Sequence, residues 1–411
     1  MDRMRYSVFL LLLPIVAVAG DKEATDIAAQ DHRWFDLRDA IVAQKAQPFY
    51  RLIVAAAFND VRRAEKELPA VMRSGATPRH LGDVRYQLYR LYSRIGQYRK
   101  AAEEERKLWS MSELGLTLSE GVKADADALG NLPDLQVVSR RAATVSYSEW
   151  PGRKTVVLRV TINGQPARFG MDTGAGMSVV TEALAQRLGL KNSPGQPVFG
   201  GITGKTSTVR YVVADRLKIG NTEFRNVSFT VLPDDLEVLK DIPIEERGAI
   251  GLPVLLGLGT IRWNWSDHRV DMGFASARAT LRAANLAFED LFPLMAVEAA
   301  GRRLSFEFDT GAEWTALWPP FVKDFPEEMK TARKSSRELA GATGGETRDV
   351  QILAELPIRV AGFPVVLKDA PAMLTPTIPA STLHYGLLAM DALSKANEVT
   401  LDFGAMRVNL R

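Results

Sequence analysis

The last two-thirds of this 411-residue chain is written twice, and that repeat limits its possible folds more than any other feature. Asn163-Gly164 followed by Phe169-Gly170-Met171-Asp172-Thr173-Gly174-Ala175 returns as Ala300-Gly301 followed by Phe306-Glu307-Phe308-Asp309-Thr310-Gly311-Ala312, at an offset of 137 residues. Gly201-Ile202-Thr203-Gly204 returns as Gly341-Ala342-Thr343-Gly344 at an offset of 140, and Leu217, Ile219 and Phe224 as Leu356, Ile358 and Phe363 at 139. Ile250-Gly251 and Leu255 return as Leu388-Ala389 and Leu393, and Arg269-Val270-Asp271-Met272 as Arg407-Val408-Asn409-Leu410, both at 138. A single Asp-Thr-Gly arises by chance in a chain this long about one time in ten at average residue usage. Two of them, each closing an apolar-x-apolar run and each followed by the same landmarks in the same order, mean a duplicated structural unit.

The unit is mainly β. Val156-Leu158-Val160-Ile162 alternates, turns at Asn163-Gly164, and alternates again through Ala167-Phe169-Met171, which predicts a hairpin with an Asn-Gly turn. Residues 20–132 have another texture. Apolar residues recur at helical spacing in Phe49-Leu52-Ile53-Ala56-Ala57 and in Tyr86-Tyr89-Leu91-Tyr92-Ile95. Leu88, Tyr92, Gly96, Tyr98 and Ala101 fall at the spacing of a tetratricopeptide (TPR-like) repeat, with a fainter copy around Asn59, Val61 and Ala64; a plain helical bundle fits the same positions. The N-terminus carries Arg3 and Arg5, an apolar run from Val8 to Val18, and Ala17-Val18-Ala19, the pattern of a cleaved export signal. The expected organisation is a signal peptide over 1–19, a helical TPR-like domain over 20–132, and two β lobes over 133–277 and 278–411.

Each β half resembles a retropepsin-like lobe, the unit that retroviral aspartic peptidases use as a homodimer. The shared parts are the Asp-Thr-Gly-Ala loop, a glycine-rich segment about thirty residues later, and an apolar-apolar-Gly segment about eighty residues after the aspartate. The resemblance covers roughly residues 150–411. It implies a multidomain α + β chain whose C-terminal part is a bilobal all-β acid-protease fold made of two fused lobes. It also implies an aspartic endopeptidase in which Asp172 and Asp309 share one proton and activate a water between them. Thr173, Gly174, Thr310 and Gly311 would support the loops. Gly200, Gly201, Ile202, Thr203 and Gly204, with Gly341, Ala342, Thr343 and Gly344, would form two flaps over a peptide substrate held as an added strand. One chain supplies both aspartates, so a monomer is expected to suffice.

The chain departs from the resemblance in two places. Ala389 stands where a glycine is expected beneath the second aspartate loop. The residue after Asp-Thr-Gly-Ala is Gly176 in the first copy and Glu313 in the second. Ala175 and Ala312 offer no hydroxyl donor to the aspartates, which predicts a dyad that titrates higher than one flanked by serine or threonine.

The remaining chemistry is sparse. There is no cysteine, which removes disulfides, thiol nucleophiles and zinc–thiolate sites, and with the leader suggests a bacterial periplasm. His32, His80, His268 and His384 show no metal-ligand spacing, and no cofactor or metal is expected. A net charge of +3 without a dense basic run gives no reason to expect a nucleic-acid partner, and no membrane span is expected after the leader. Gly204-Lys205-Thr206 lacks the first glycine of a phosphate loop, Ser178 lacks the second glycine of a serine elbow, and Trp263-Asn264-Trp265 reads as core or lobe-interface packing. The alternative to a peptidase is a peptide-binding scaffold that does not cleave. The helical region would then bind a protein partner; it could also regulate the cleft or act as a removable pro-segment. Neither aspartate lies in it, so its removal is expected to leave the dyad assembled.

Overall fold

The computed structural model describes residues 21–43, 46–116, 119–276 and 280–411. The export signal expected over 1–19 and the lobe boundary expected at 277/278 lie outside these residues. Helices occupy the chain up to Gly130, and strands dominate from Gln136 onward. Among the described residues, no helix is long and apolar enough to cross a membrane.

The β part contains two barrels with the same connections. In the first, Val156–Ile162 and Gln165–Met171 form the expected hairpin, with Asn163 and Gly164 at φ of 50° and 84°. Two consecutive left-handed residues are what a tight hairpin turn demands, and Asn-Gly supplies them at least cost. Gln165–Met171 then runs parallel to Gly248–Ile250, which pairs antiparallel with Ser178–Thr181, which runs parallel to Thr222–Leu232. Val160 opposite Ile219 closes the barrel. The second barrel repeats each step: hairpin Phe292–Ala299 and Arg302–Phe308, then Gly386–Leu388, Ala316–Leu317 and Phe363–Met373, closed by Val297 opposite Val360.

The barrels are joined by a shared sheet. Thr260–Asn264 pairs antiparallel with Glu398–Asp402, flanked by Arg269–Phe274 and Arg407–Leu410. In this pairing Arg262 lies opposite Thr400, its own counterpart at the 138-residue offset, and Thr260 and Asn264 face Asp402 and Glu398. An antiparallel pair centred on equivalent residues is what a two-fold axis through that point produces. Trp263 is buried in this sheet, and the Trp265 indole N–H donates to the Leu393 carbonyl of the other half, so this tryptophan pair packs the junction.

The N-terminal helices form successive antiparallel pairs, among them Pro48–Ala57 with Val61–Arg73 and Pro78–Arg94 with Tyr98–Trp109. Asn59 and Gly96 hold the same left-handed position in the two turns, at φ of 56° and 74°, and Ala64 and Ala101 behind them are fully buried. The helical region packs directly on the barrels. Its buried side chains and those of the barrels form one continuous cluster. Arg94, fully buried, donates from one nitrogen to the Ala56 carbonyl and from another to the Asp290 carbonyl of the second barrel, both at 2.6 Å, and its guanidinium lies over the Phe288 ring. Beside it, His32 and the Trp34 indole N–H both bond the buried Glu289 carboxylate. At the other barrel, Asp125 accepts the Val198 amide at 3.0 Å.

A cation enclosed this fully depends on the two carbonyls that its terminal nitrogens reach; truncation removes both bonds, taking this donor from the Asp290 carbonyl and leaving the Ala56 carbonyl with the Asn59 amide. Arg94→Ala is expected to lower the unfolding free energy by about 3 kcal/mol. In urea titrations, helix and tryptophan signals should fall together. A loss of helix signal alone would show that the helical region unfolds independently.

Candidate active site

Each aspartate sits just past the end of a barrel strand, Asp172 after Gln165–Met171 and Asp309 after Arg302–Phe308. Its amide is tied to the neighbouring parallel strand: Asp172 N–H to the Ile250 carbonyl and Asp309 N–H to the Leu388 carbonyl, both at 3.0 Å. The two loops then lock reciprocally across the axis. Thr310 Oγ1 accepts the Thr173 amide at 3.1 Å, and Thr173 Oγ1 accepts the Thr310 amide at 3.0 Å. Each hydroxyl donates onward, Thr173 to the Phe308 carbonyl at 2.8 Å and Thr310 to the Met171 carbonyl at 3.0 Å. Both threonines are buried, and each hydroxyl both donates and accepts across the axis.

This frame brings the carboxyl groups of Asp172 and Asp309 into a hydrogen bond with each other. Asp172 Oδ1 accepts the amides of Gly174 and Ala175 at 2.8 and 3.1 Å, and Asp309 Oδ1 accepts those of Gly311 and Ala312 at 2.7 and 3.2 Å. A Cβ on Gly174 would lie 2.5 Å from Asp309 Cγ, and one on Gly311 would lie 2.6 Å from Asp172 Cγ. Any side chain at either position would drive the pair apart. Burial first, and then the charge of Asp309, push Asp172 well above the usual carboxyl range. Burial raises Asp309 as well, but the Gly311 amide, the bond from Asp172, and the Ala312 and Gly174 amides all favour its charged form. Both carboxyls are raised and each has the same two amide donors, so the pair shares one proton between them.

The supporting loops differ where the sequence departs. Gly251 donates to Ser178 Oγ at 3.0 Å, and a Cβ there would lie 2.6 Å from the Ala175 carbonyl oxygen. In the second half Ala389 donates to Thr315 Oγ1 at 3.1 Å, and its methyl is buried in a small apolar cluster with Leu387 and Trp318. The second loop thus keeps its hydrogen bonds while accepting the methyl group. Ser178 and Thr315 emerge as equivalent supports that sequence reasoning did not find; their hydroxyls align at the repeat offset, which was the available signal. Glu313 reaches back to the first half, accepting from the Lys154 amide and Thr155 Oγ1 at 3.1 and 3.2 Å.

The glycine-rich segments are hairpin tips that meet each other. The first is the short ribbon Val198–Gly200 with Thr206–Thr208; the second is the long ribbon Arg333–Gly341 with Gly344–Val360. Thr203 Oγ1 and Thr343 Oγ1 lie 3.2 Å apart, and Lys205 Nζ donates to the Gly345 carbonyl at 2.8 Å. Gly201 packs against Thr343, Gly341 against Ile202, and Gly204 against the Thr377 carbonyl. Ala342 occupies the turn of the second ribbon, and Gly344 closes it at φ of 101°. Gly200 has open space and takes no part in the contact. Ile202 and Ala312 pack on the same apolar cluster, which links the first tip to the wall beside Asp309.

One further group was not singled out from the sequence. Glu307, two residues before Asp309, is 1% exposed. Its counterpart is Gly170, whose missing side chain is replaced by the Trp150 indole ring. Burial, then the charge of Asp309, push Glu307 up to about 8, opposed by the Trp318 indole N–H. Among the described residues, neither Glu307 oxygen nor the Trp318 nitrogen is held in a well-formed hydrogen bond. A lone acidic residue in the apolar run Leu304–Phe308 was the signal for it.

A retropepsin-like aspartic protease from Rickettsia conorii is 18% identical, covering 33% of this chain and 92% of its own, with a TM-score of 0.23. Basic 7S globulin from soybean and conglutin gamma from lupine seeds are each 10% identical, covering 66% of this chain and 94% of their own, with TM-scores of 0.37. No curated protein matches the sequence. Residues 158–258, the stretch holding the Asp172-Thr173-Gly174 loop, the first ribbon and Gly251, match the model of the aspartyl protease family, which supports an aspartic protease.

Proposed function

We propose that this chain is an exported aspartic endopeptidase in which Asp172 and Asp309 activate a water between them. The observation that carries the reading is the pair of half-buried carboxyl groups, side by side and hydrogen-bonded to one another inside a reciprocal threonine frame. Such a pair supplies an acid and a base at one point. The Asp309 carboxylate takes a proton from the water as its oxygen bonds to the scissile carbonyl carbon, and Asp172 gives its proton to the carbonyl oxygen. The resulting diol collapses when a hydroxyl proton returns to Asp172 and Asp309 protonates the leaving nitrogen, breaking the C–N bond. The charge state of the dyad is restored at the end of the turnover.

The contact between the tips of the two ribbons supports a cleft that must open to admit an extended peptide. Export rests on the leader pattern of the first nineteen residues, and a periplasmic address on that leader and the absence of cysteine. The helical pairs suit a TPR-type surface for a protein partner. The bond from Asp125 to the root of the first ribbon gives such a partner a route to the cleft.

Asp172→Asn and Asp309→Asn should each reduce cleavage of a diverse peptide pool by about 1000-fold or more while leaving thermal unfolding intact, because either change removes a proton-transfer partner. A variant that cuts as fast as the wild type would refute the mechanism. A wild type that binds peptides without cutting them would favour a scaffold.

The loop alanines generate a pH expectation. The carboxylates receive only backbone amides from residues 174, 175, 311 and 312, so a hydroxyl at 175 and 312 adds donors to the charged form and lowers the dyad's titration. Wild type should work from mildly acidic to near-neutral pH. In Ala175→Ser with Ala312→Ser, the optimum of kcat/KM should move toward acid; an unchanged or more basic optimum contradicts this account.

A further inference from the structure

The two halves tie their aspartate loops to the barrels through the same bonds, with one addition in the second. In the first half the circuit runs from Asp172 Oδ1 to the Ala175 amide and from the Ala175 carbonyl to the Leu252 amide at 2.9 Å. The preceding amide, that of Gly251, donates to Ser178 Oγ at 3.0 Å. In the second half the circuit runs from Asp309 Oδ1 to the Ala312 amide and from the Ala312 carbonyl to the Met390 amide at 3.1 Å. The preceding amide, that of Ala389, donates to Thr315 Oγ1 at 3.1 Å. Here the circuit goes on. Thr315 donates from its hydroxyl and from its amide to Asp391 Oδ1, at 2.6 and 3.0 Å, and the same oxygen accepts the Ala392 amide at 2.8 Å. At the repeat offset the first half has Pro253, whose side chain carries no polar atom.

The addition falls where the second half packs less closely. A Cβ on Gly251 would lie 2.6 Å from the Ala175 carbonyl oxygen and 2.7 Å from that of Met177, so the first loop closes on residue 251 because no methyl group is there. Ala389 carries that methyl group, fully buried. The second loop cannot approach residue 389 as the first approaches 251, and its position depends more on hydrogen bonds. Thr315, 1% exposed, supplies them, with its amide, its hydroxyl proton and its hydroxyl oxygen all engaged. A hydroxyl that donates to a carboxyl oxygen becomes a better acceptor, which strengthens its hold on the Ala389 amide.

We propose that Asp391 is a positioning residue for the second aspartate: it fixes Thr315, Thr315 fixes Ala389, and the bond from Met390 to Ala312 carries that order to Asp309. Its effect on cleavage rests on the peptidase reading above, whereas its effect on the geometry of the pair does not.

The test compares wild type with Asp391→Ala, Asp391→Asn, Thr315→Val, the double variant Asp391→Ala with Thr315→Val, and Pro253→Ala in the first half. For each chain, at a temperature where it is folded, three quantities are read. They are kcat and KM for a peptide, affinity for a peptide with a hydroxyl group in place of the scissile carbonyl, and the 13C carboxyl titration of chain labelled at aspartate. Asp391→Ala should lower kcat about 10- to 100-fold with KM within about threefold of wild type, because a displaced carboxyl misaligns the water and leaves the ribbons unchanged. Affinity for the hydroxyl peptide should fall with kcat, and the titration of the pair should shift. All three bonds go to Oδ1, so Asp391→Asn, which keeps an oxygen acceptor, should return kcat to within about threefold of wild type. Thr315→Val should match Asp391→Ala, and the double variant should lose no more than the worse single one. Pro253→Ala should match wild type throughout. A residue that only stabilised the fold would lower the melting temperature and leave kcat and the titration of the folded chain unchanged. That result, or losses that multiply in the double variant, overturns the proposal. Where Asp391→Ala does not fold, Asp391→Ser, whose side chain is one bond shorter, is read by the same criteria. If no chain cleaves peptide but the titration shifts in Asp391→Ala and returns in Asp391→Asn, the positioning stands and the peptidase reading falls.

Discussion

The site depends on two side chains bonding across a boundary. Thr173 and Thr310 each take the other's amide and donate to a carbonyl of the opposite half, so neither loop has its final shape without the other. This explains how two carboxyl groups that repel when ionised are kept in contact. The repulsion is resisted by buried hydrogen bonds on both sides of the axis, and the shared sheet centred on Arg262 and Thr400 holds the barrels in the register those bonds require. The glycines next to the aspartates then matter for what they lack, since a methyl group at either would occupy the space of the opposite carboxyl.

The duplication is not perfect, and its departures collect on one side. Gly251 is hemmed in by the backbone around Ala175, while Ala389 turns its methyl into an apolar cluster. Gly170 lies under a tryptophan, while Glu307 brings its own carboxyl to an unmatched indole. The first ribbon is a short separate hairpin, while the second extends directly from the barrel strand Gly344–Val360. A homodimer is bound to have identical halves. Fusing two copies in one chain frees them to differ, and here the second half has become the more polar neighbour of the dyad. The asymmetry has a thermodynamic sign: the unpartnered Glu307 carboxyl costs stability where Gly170, covered by Trp150, does not.

The helical region ties both barrels to a third body. Arg94 bridges helix and second barrel through two carbonyls, and Asp125 holds the amide of Val198 at the root of the first ribbon. The last helix of this region and the first ribbon are therefore tied directly to one another. These contacts are between groups far apart in sequence, and the buried side chains of the helices and the barrels form one cluster.

The duplication, the hairpin turns and the two aspartates were legible in the sequence, because each is local or periodic. An Asn-Gly pair can be recognised where it stands, and an offset of 137 residues is a property of the string alone. So were the helical pairs, whose turn residues Asn59 and Gly96 carry the left-handed conformation that those residue types favour. What only the tertiary structure decided was which of these pieces share a boundary. Ser178 and Thr315 gain their role only where their hydroxyls meet the amides of Gly251 and Ala389. Arg94 has no local signal for its role, since one of its two carbonyl partners lies 196 residues away. Glu307 looked like one charge in an apolar strand. Its weight comes from burial and from Asp309, and the cost of burying a charge depends on what the rest of the chain places around it.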